Sequence, residues 1–288
     1  MNIILFSRKQ VSHNPEQLQK MFAAIARLGL DYSINKDFAE IVEALTDIVV
    51  EPRNIFSDRV IARGEDVMVT YGGDGTLLEA VGLLPDYTIP VVGINCGRLG
   101  YLTVNNGDEI DQLMEDIAKG KLLFEQREMI EVRGEGIEHK TLALNEVAIQ
   151  RHGASMIAVE TLIDGNTIAT YHGDGLVVAT PTGSTAYSLS AGGPIVDPRC
   201  QCFVLSPIAP HNLTMRPVVV PNNTTIELRI KSRSGKAFFS VDNYTYTLCD
   251  GARIYVAIAK QRLILATPHN NTFYDTLREK MMWGVDRR

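Results

Sequence analysis

The apolar positions fall into two textures along the chain. Up to about residue 120, short apolar runs alternate with helical spacings. Asn2 to Ser7 reads as a buried strand, and Leu18, Met21, Phe22, Ile25 and Leu28 then recur on one helix face. That helix carries its own punctuation, with Asn14 as N-cap, Pro15 at the first helical position and Gly29 past its end. A second helical segment is predicted around Phe38 to Leu45. A strand from Val67 to Tyr71, a helix reaching about Leu84 and a strand from Ile89 to Ile94 follow. Ile110, Leu113, Met114 and Ile117 mark an amphipathic helix over Asp108 to Lys119. This alternation predicts an α/β domain with a Rossmann-like parallel sheet, whose ligands bind at the carboxyl ends of strands.

Beyond residue 120 the pattern shortens to strands. Runs are predicted at Leu122–Val132, Leu142–Gln150, Met156–Ile163, Thr167–Tyr171, Leu176–Thr180, Val218–Val220, Thr225–Ile230, Ala237–Val241, Tyr244–Leu248 and Ile254–Ile258. Asp164-Gly165-Asn166 is a hairpin signal between two of them. An all-β second domain follows from this, closed by an amphipathic helix from Phe273 to Trp283.

Composition narrows the ligand more than the fold. The 288 residues are 45% hydrophobic and 22% charged, as in a soluble globular protein, and the net charge is −6. No basic field invites nucleic acid or an anionic membrane, so an anionic ligand must be held by local donors. No apolar stretch approaches the ~20 residues of a membrane span. The first residues lack the features of a signal peptide, and a cytoplasmic location is expected. Cys96, Cys200, Cys202 and Cys249 have no CxxC spacing and read as ordinary thiols.

Candidate chemistry begins at Gly72-Gly73-Asp74-Gly75-Thr76, where the strand ending at Tyr71 empties into a helix start. Glycines let backbone N–H groups approach a phosphate, and a helix N-terminus suits negative charge. Asp74 breaks that pattern unless it holds a metal ion or takes a proton from an attacking hydroxyl, which points to phosphoryl transfer. The plainer alternative is a structural turn. Gly73 and Gly75 imitate a dinucleotide fingerprint, but Leu78 stands where its third small residue belongs. A Walker loop, GxSxG and HExxH are absent. A second glycine-rich turn, Asn95 to Leu102, ends the next strand. Asn145-Glu146 interrupts a strand, as either an exposed edge or a pair that recognises ribose or a base. His172-Gly173-Asp174-Gly175 precedes Thr182-Gly183-Ser184-Thr185-Ala186-Tyr187-Ser188, a density of small donors that suits a nucleotide or simply caps a helix. His211 and Arg216 read as bracing.

Taken together, these motifs resemble the NAD kinase family nearly end to end. The resemblance runs through residues 72–76, 95–102, 145–146, 174–176, TPTGSTAYSLSAGGP at 180–194, PHNLTMRP at 210–217 and the segment Phe273 to Lys280. The 72–76 turn also occurs in phosphofructokinases and in diacylglycerol and sphingosine kinases; residues 180–194 are far more restrictive. The resemblance implies an α/β domain of residues 1–105 and 268–288 and a β-rich NAD-binding domain of residues 106–267. It implies ATP-dependent phosphorylation of the 2′-hydroxyl of the adenosine ribose of NAD, giving NADP, with a divalent cation, Mg²⁺, and a homo-oligomer, dimer or tetramer.

Carried over by position, Asp74 would accept the hydroxyl proton while Gly72, Gly73, Gly75 and Thr76 line the phosphates. Asn145, Glu146 and Asp174 would hold the nicotinamide end or the riboses. Thr182, Thr185, Ala186, Tyr187, Ser188, Leu189 and Ser190 would form the adenosine pocket, and Ser155 would contact ligand in a neighbouring subunit. Two positions depart from the family pattern: His172 where Arg is common, and Asp242-Asn243-Tyr244 where Asp-Gly-Gln is common. They put the contacts of His172 and Tyr244 in question. A lipid or sphingoid kinase, or a nucleotide sensor without catalysis, are the rival readings.

Overall fold

The computed structural model describes residues 1–60, 64, 66–85, 87–97, 100–139, 141–268 and 272–282. The chain divides into two compact units, one of Met1–Gln126 with Leu263–Arg288 and one of Arg127–Arg262.

The first unit begins with β1 (Asn2–Phe6), α1 (Pro15–Leu28), β2 (Asp31–Asn35), α2 (Lys36–Leu45) and β3 (Ile55–Phe56). It continues with β4 (Asp66–Tyr71), α3 (Asp74–Val81), β5 (Val91–Asn95), β6 (Asn105–Asn106) and α4 (Ile110–Ala118). The Asn14 side chain accepts from the N–H groups of Glu16 and Gln17, and Gly29 closes α1 in the left-handed region, as its sequence predicts. The strands run parallel in the order β5-β4-β1-β2-β3. Every residue of β1, β4 and β5 is buried, the mark of a parallel sheet covered on both faces. Met21 and Phe22 of α1, Phe38 of α2 and Leu113 and Met114 of α4 share one core with Ile3, Val69 and Ile94. That packing assigns α4 to this unit, so the division falls at residue 126 instead of the expected 105. On the far side it falls at 262 instead of 267.

The second unit is built from β7 (Leu123–Gly134), β8 (Leu142–Ala143), β9 (Glu146–Arg151), β10 (Ile157–Ile163), β11 (Asn166–Gly173) and β12 (Gly175–Ala179). After the short helix α5 (Tyr187–Ser190) come β13 (Cys202–Ile208), β14 (Val218–Pro221), β15 (Ile226–Ser232), β16 (Lys236–Val241), β17 (Tyr244–Cys249) and β18 (Arg253–Thr267). Two antiparallel arrays result, β11-β10-β15-β18 and β14-β13-β12-β9-β16-β17. Val159, Leu228 and Ile254 of the first share a core with Ile149, Val178, Phe203 and Phe239 of the second. Asp164 (φ 49°) and Gly165 (φ 82°) turn the β10–β11 hairpin, as predicted. β13 lies outside the predicted strands: it carries Ser206-Pro207 within a buried run, and those residues read locally as a turn. β18 leaves this unit, and its Leu265 pairs in parallel with Val91 of β5. The last helix, α6 (Phe273–Met281), starts with a Thr272–Asp275 capping box in the first unit. Trp283 of the predicted helix lies outside the described residues.

Candidate active site

In the first unit β4 ends at Tyr71, whose hydroxyl donates to Gln17 and whose ring stacks on His13. Gly72 follows at φ 152°, its N–H bonded to the Ile94 carbonyl of β5. The chain enters α3 with Gly73 as N-cap and Asp74 as the first helical residue. The first N–H groups of a helix have no intrahelical acceptor, and here they emerge among glycines.

Asp74 does not cap that helix. Its Oδ1 accepts from the N–H groups of Leu102 (3.1 Å) and Thr103 (3.0 Å) and from the Thr103 hydroxyl (2.9 Å). Its Oδ2 accepts from the Tyr101 N–H at 2.8 Å. Gly100 lies so close that a Cβ there would come within 2.0 Å of Oδ1. A carboxylate offers about four lone-pair positions, so Oδ1 is fully committed and Oδ2 keeps its open side. The half-buried carboxylate is therefore held in one orientation by the loop that follows β5.

Arg8, just past β1, reaches the same turn. Its Nε donates to the Thr76 hydroxyl at 3.2 Å, and its Nη1 lies 3.9 Å from the Glu79 carboxylate. This places a guanidinium beside Gly75 and Thr76 in a chain of net charge −6.

In the second unit, motifs far apart in sequence form one cluster. The Asn145 carbonyl accepts the Thr180 N–H at 2.8 Å, and the Thr180 hydroxyl donates to the Leu144 carbonyl at 2.7 Å. Gly183 packs on Asn145 with only 2.0 Å between its missing Cβ and that carbonyl oxygen. Asp242, at the tip of the β16–β17 hairpin, accepts from three successive N–H groups: Leu144 (2.8 Å), Asn145 (2.9 Å) and Glu146 (3.2 Å). Glu146 is 9% exposed, and its Oε2 is buried without a hydrogen-bond partner. Burial, the Asp242 charge and, in the opposite sense, the Tyr187 N–H set its carboxyl pKa at about 8. The Tyr187 phenol bonds Gln150 at 2.6 Å.

One turn therefore offers donors to phosphate beside a carboxylate fixed on one side. The other cluster offers amide, hydroxyl and an unsatisfied buried carboxyl. Both stretches of sequence match families of known proteins. Residues 30–122 match the family model of the ATP-NAD kinase N-terminal domain, and residues 144–265 that of the C-terminal domain. The NAD kinase of Porphyromonas gingivalis is 38% identical over 286 residues, covering 98% of each chain. That of Bacteroides fragilis is 32% identical over the full length of both. The chain belongs to the NAD kinase family. Two solved structures agree in fold. Yeast NADH kinase, complexed with NADH, has a TM-score of 0.84 at 25% identity, covering 100% of this chain and 89% of its own. The Archaeoglobus fulgidus NAD kinase, in complex with ATP, has 0.76 at 26%, covering 98% and 99%.

Against that family pattern the predicted residues separate. Asn145, Glu146, Thr182, Thr185, Ala186 and Tyr187 lie together around the Gly183 turn. Leu189 and Ser190 continue into α5. Ser188 is fully buried and its hydroxyl bonds that of Ser206 at 2.9 Å, which ties it to β13. Asp174 stands at the other end of β12, since Ala179 pairs with Glu146 while Gly175 pairs with Gln150. Its carboxylate is ion-paired to Arg151 at 2.6 Å. His172 is exposed and lines a 530 Å³ groove with Lys231, Arg233 and Asp250. Ser155 is exposed on the loop before β10, and Tyr244 is 41% exposed beside Tyr246. Arg216 donates to the carbonyls of Leu213 and Met215, a bracing role as read. The His211 N–H bonds the His172 carbonyl. Arg98 and Leu99 of the second glycine turn lie outside the described residues.

Sequence reasoning missed Arg8, Thr103, Arg151 and the grip of Asp242. Only the last had a signal, as the first residue of a departing motif.

Proposed function

We infer that this chain transfers the γ-phosphoryl group of ATP to the 2′-hydroxyl of the adenosine ribose of NAD, giving NADP. Membership of the NAD kinase family carries the reading, and the two local arrangements support its parts.

The protein's task in such a transfer is alignment and charge stabilisation. Gly72, Gly73, Gly75 and Thr76 line the donor phosphates, and Arg8 adds the fixed positive charge. Asp74 accepts the proton of the attacking hydroxyl at Oδ2; its saturated Oδ1 supports this reading because it fixes the carboxylate's direction. Asn145, Glu146, Thr182, Thr185, Ala186, Tyr187, Leu189 and Ser190 recognise the acceptor, with Asp174, His172 and Tyr244 as its more distant contacts.

A divalent cation, Mg²⁺ in this reading, completes the donor. Mg²⁺ takes phosphate oxygens, waters and at most one or two carboxylates, and it would supply charge neutralisation on the phosphates. Among the described residues no group of three His, Cys, Asp or Glu side chains converges to hold an ion. Among the same residues no helix is long and apolar enough to cross a membrane. The enzyme works in the cytoplasm as a homo-oligomer, dimer or tetramer, and the exposure of Ser155 supports its reach to a neighbouring copy.

Incubation with ATP, Mg²⁺ and either NAD or a sphingoid base tests the reaction. NADP formed from NAD alone is the expected result; a phosphorylated base, or NAD bound without turnover, would replace this reading. Light scattering gives the oligomer size.

A further inference from the structure

The two oxygens of Asp74 answer to different parts of the first unit. Oδ1 is held by Leu102 and Thr103, and Thr103 is braced from β5, where the Asn95 amide donates to its carbonyl at 3.3 Å. Oδ2 is held, among the described residues, by the Tyr101 N–H at 2.8 Å. The Tyr101 side chain lies against α6. Its ring centroid is 6.2 Å from that of Phe273, and the Lys280 ammonium stands 4.3 Å from it. Both distances are those of an attractive ring pair and a cation–π contact. Phe273 and Lys280 are seven residues apart, about two helical turns, and so share one face of α6 with the buried Leu277. The Tyr101 phenol oxygen is buried and has no hydrogen-bond partner, so its hydroxyl does not fix the ring. Burial, and then the charge of Asp74, push that phenol above its ordinary range, and the ring stays neutral beside the ammonium.

We propose that Lys280 is a positioning residue for phosphoryl transfer: with Phe273 it clamps the Tyr101 ring to α6, and so keeps the Tyr101 N–H on Oδ2, the oxygen that takes the hydroxyl proton. Without the clamp, Oδ1 remains tied to β5 through Thr103 while Oδ2 is released. Both substrates still bind, but fewer of the bound complexes have the carboxylate aimed at the hydroxyl. Alignment lost in this way lowers kcat and leaves KM in place.

This rests on Asp74 as the proton acceptor, which Asp74→Asn tests by itself. The clamp is tested by steady-state kinetics with NAD and ATP, read as kcat against both KM values. Lys280→Met keeps the aliphatic stem and removes the charge; it should lower kcat about two- to fivefold, with both KM values and Tm unchanged. Lys280→Arg still sets a cation on the ring and should recover most of that loss. Tyr101→Ala keeps the N–H but loses both ring contacts, and should lower kcat about tenfold. Tyr101→Phe should restore the greater part. In the Tyr101→Ala background Lys280→Met should have no further effect, since both act through one contact. A raised KM for ATP in Lys280→Met overturns the proposal, because the ammonium would then be a phosphate contact. So does a Tyr101→Phe as slow as Tyr101→Ala, or full additivity in the double variant. Full kcat in Tyr101→Ala overturns it even where Asp74→Asn is inactive. If Tyr101→Ala does not fold, the Lys280→Met and Lys280→Arg pair decides.

Discussion

Asp74 and Glu146 are two carboxyl groups in opposite surroundings. Asp74 is half-buried and receives four donors from a loop 27 to 29 residues downstream. Glu146 is buried, receives one N–H and has an anion for a neighbour. In the first unit the backbone holds a carboxylate; in the second a carboxylate, Asp242, holds the backbone. Environments that differ in this way assign different chemistry to the same functional group. Asp74 is surrounded by donors, Glu146 by apolar burial and an anion.

The comparison can be broken most severely at Asp74. Asp74→Asn removes the proton acceptor and sets an amide N–H₂ against the loop's own donors, so kcat should fall at least about a hundredfold while NAD still binds. Near-normal turnover would take the base role from Asp74. Next is Asp242→Asn, which leaves part of a three-donor cradle unsatisfied. Urea denaturation should show a loss of roughly 2–3 kcal/mol, along with weaker NAD binding.

Stability against pH sharpens the Glu146 side. Its folded pKa lies above the unfolded value, so its contribution is complete below pH 4.5 and is lost as pH rises through about 8. Against Glu146→Gln, the unaltered protein should lose on the order of 2 kcal/mol between pH 6 and 8, read as a falling Tm difference. An identical pH course in both proteins would contradict the buried-acid description. The smallest expected effect is at Arg8. Arg8→Ala should raise KM for ATP about tenfold and spare KM for NAD, with partial recovery in Arg8→Lys. A change in Tm alone would make Arg8 a brace for Thr76.

What the sequence made legible was local. The caps of α1, the Asp164-Gly165 hairpin and the strand-turn-helix at residues 66–81 each have their causes within a few residues, and all were read near their observed bounds. The interruption at Asn145 was visible for the same reason. The determinants that escaped are long-range: Thr76 meets Arg8 across 68 positions, and Asp242 meets Asn145 across 97. No periodicity encodes such pairs. The Ser188–Ser206 contact is of the same kind, a hydroxyl in a ligand-like motif meeting a strand 18 positions away. α4 was assigned to the wrong side of the division because its apolar face says that it packs, and not against what.

The passage of β18 from one unit to the other bears on how the chain is made. Residues 127–262 leave the ribosome before residue 263, so the β-rich unit can complete its contacts while the α/β unit still lacks its last strand and helix. The segment that closes the α/β unit is thus synthesised last, and during synthesis the Gly72–Thr76 turn belongs to an unfinished domain until Leu265 reaches Val91.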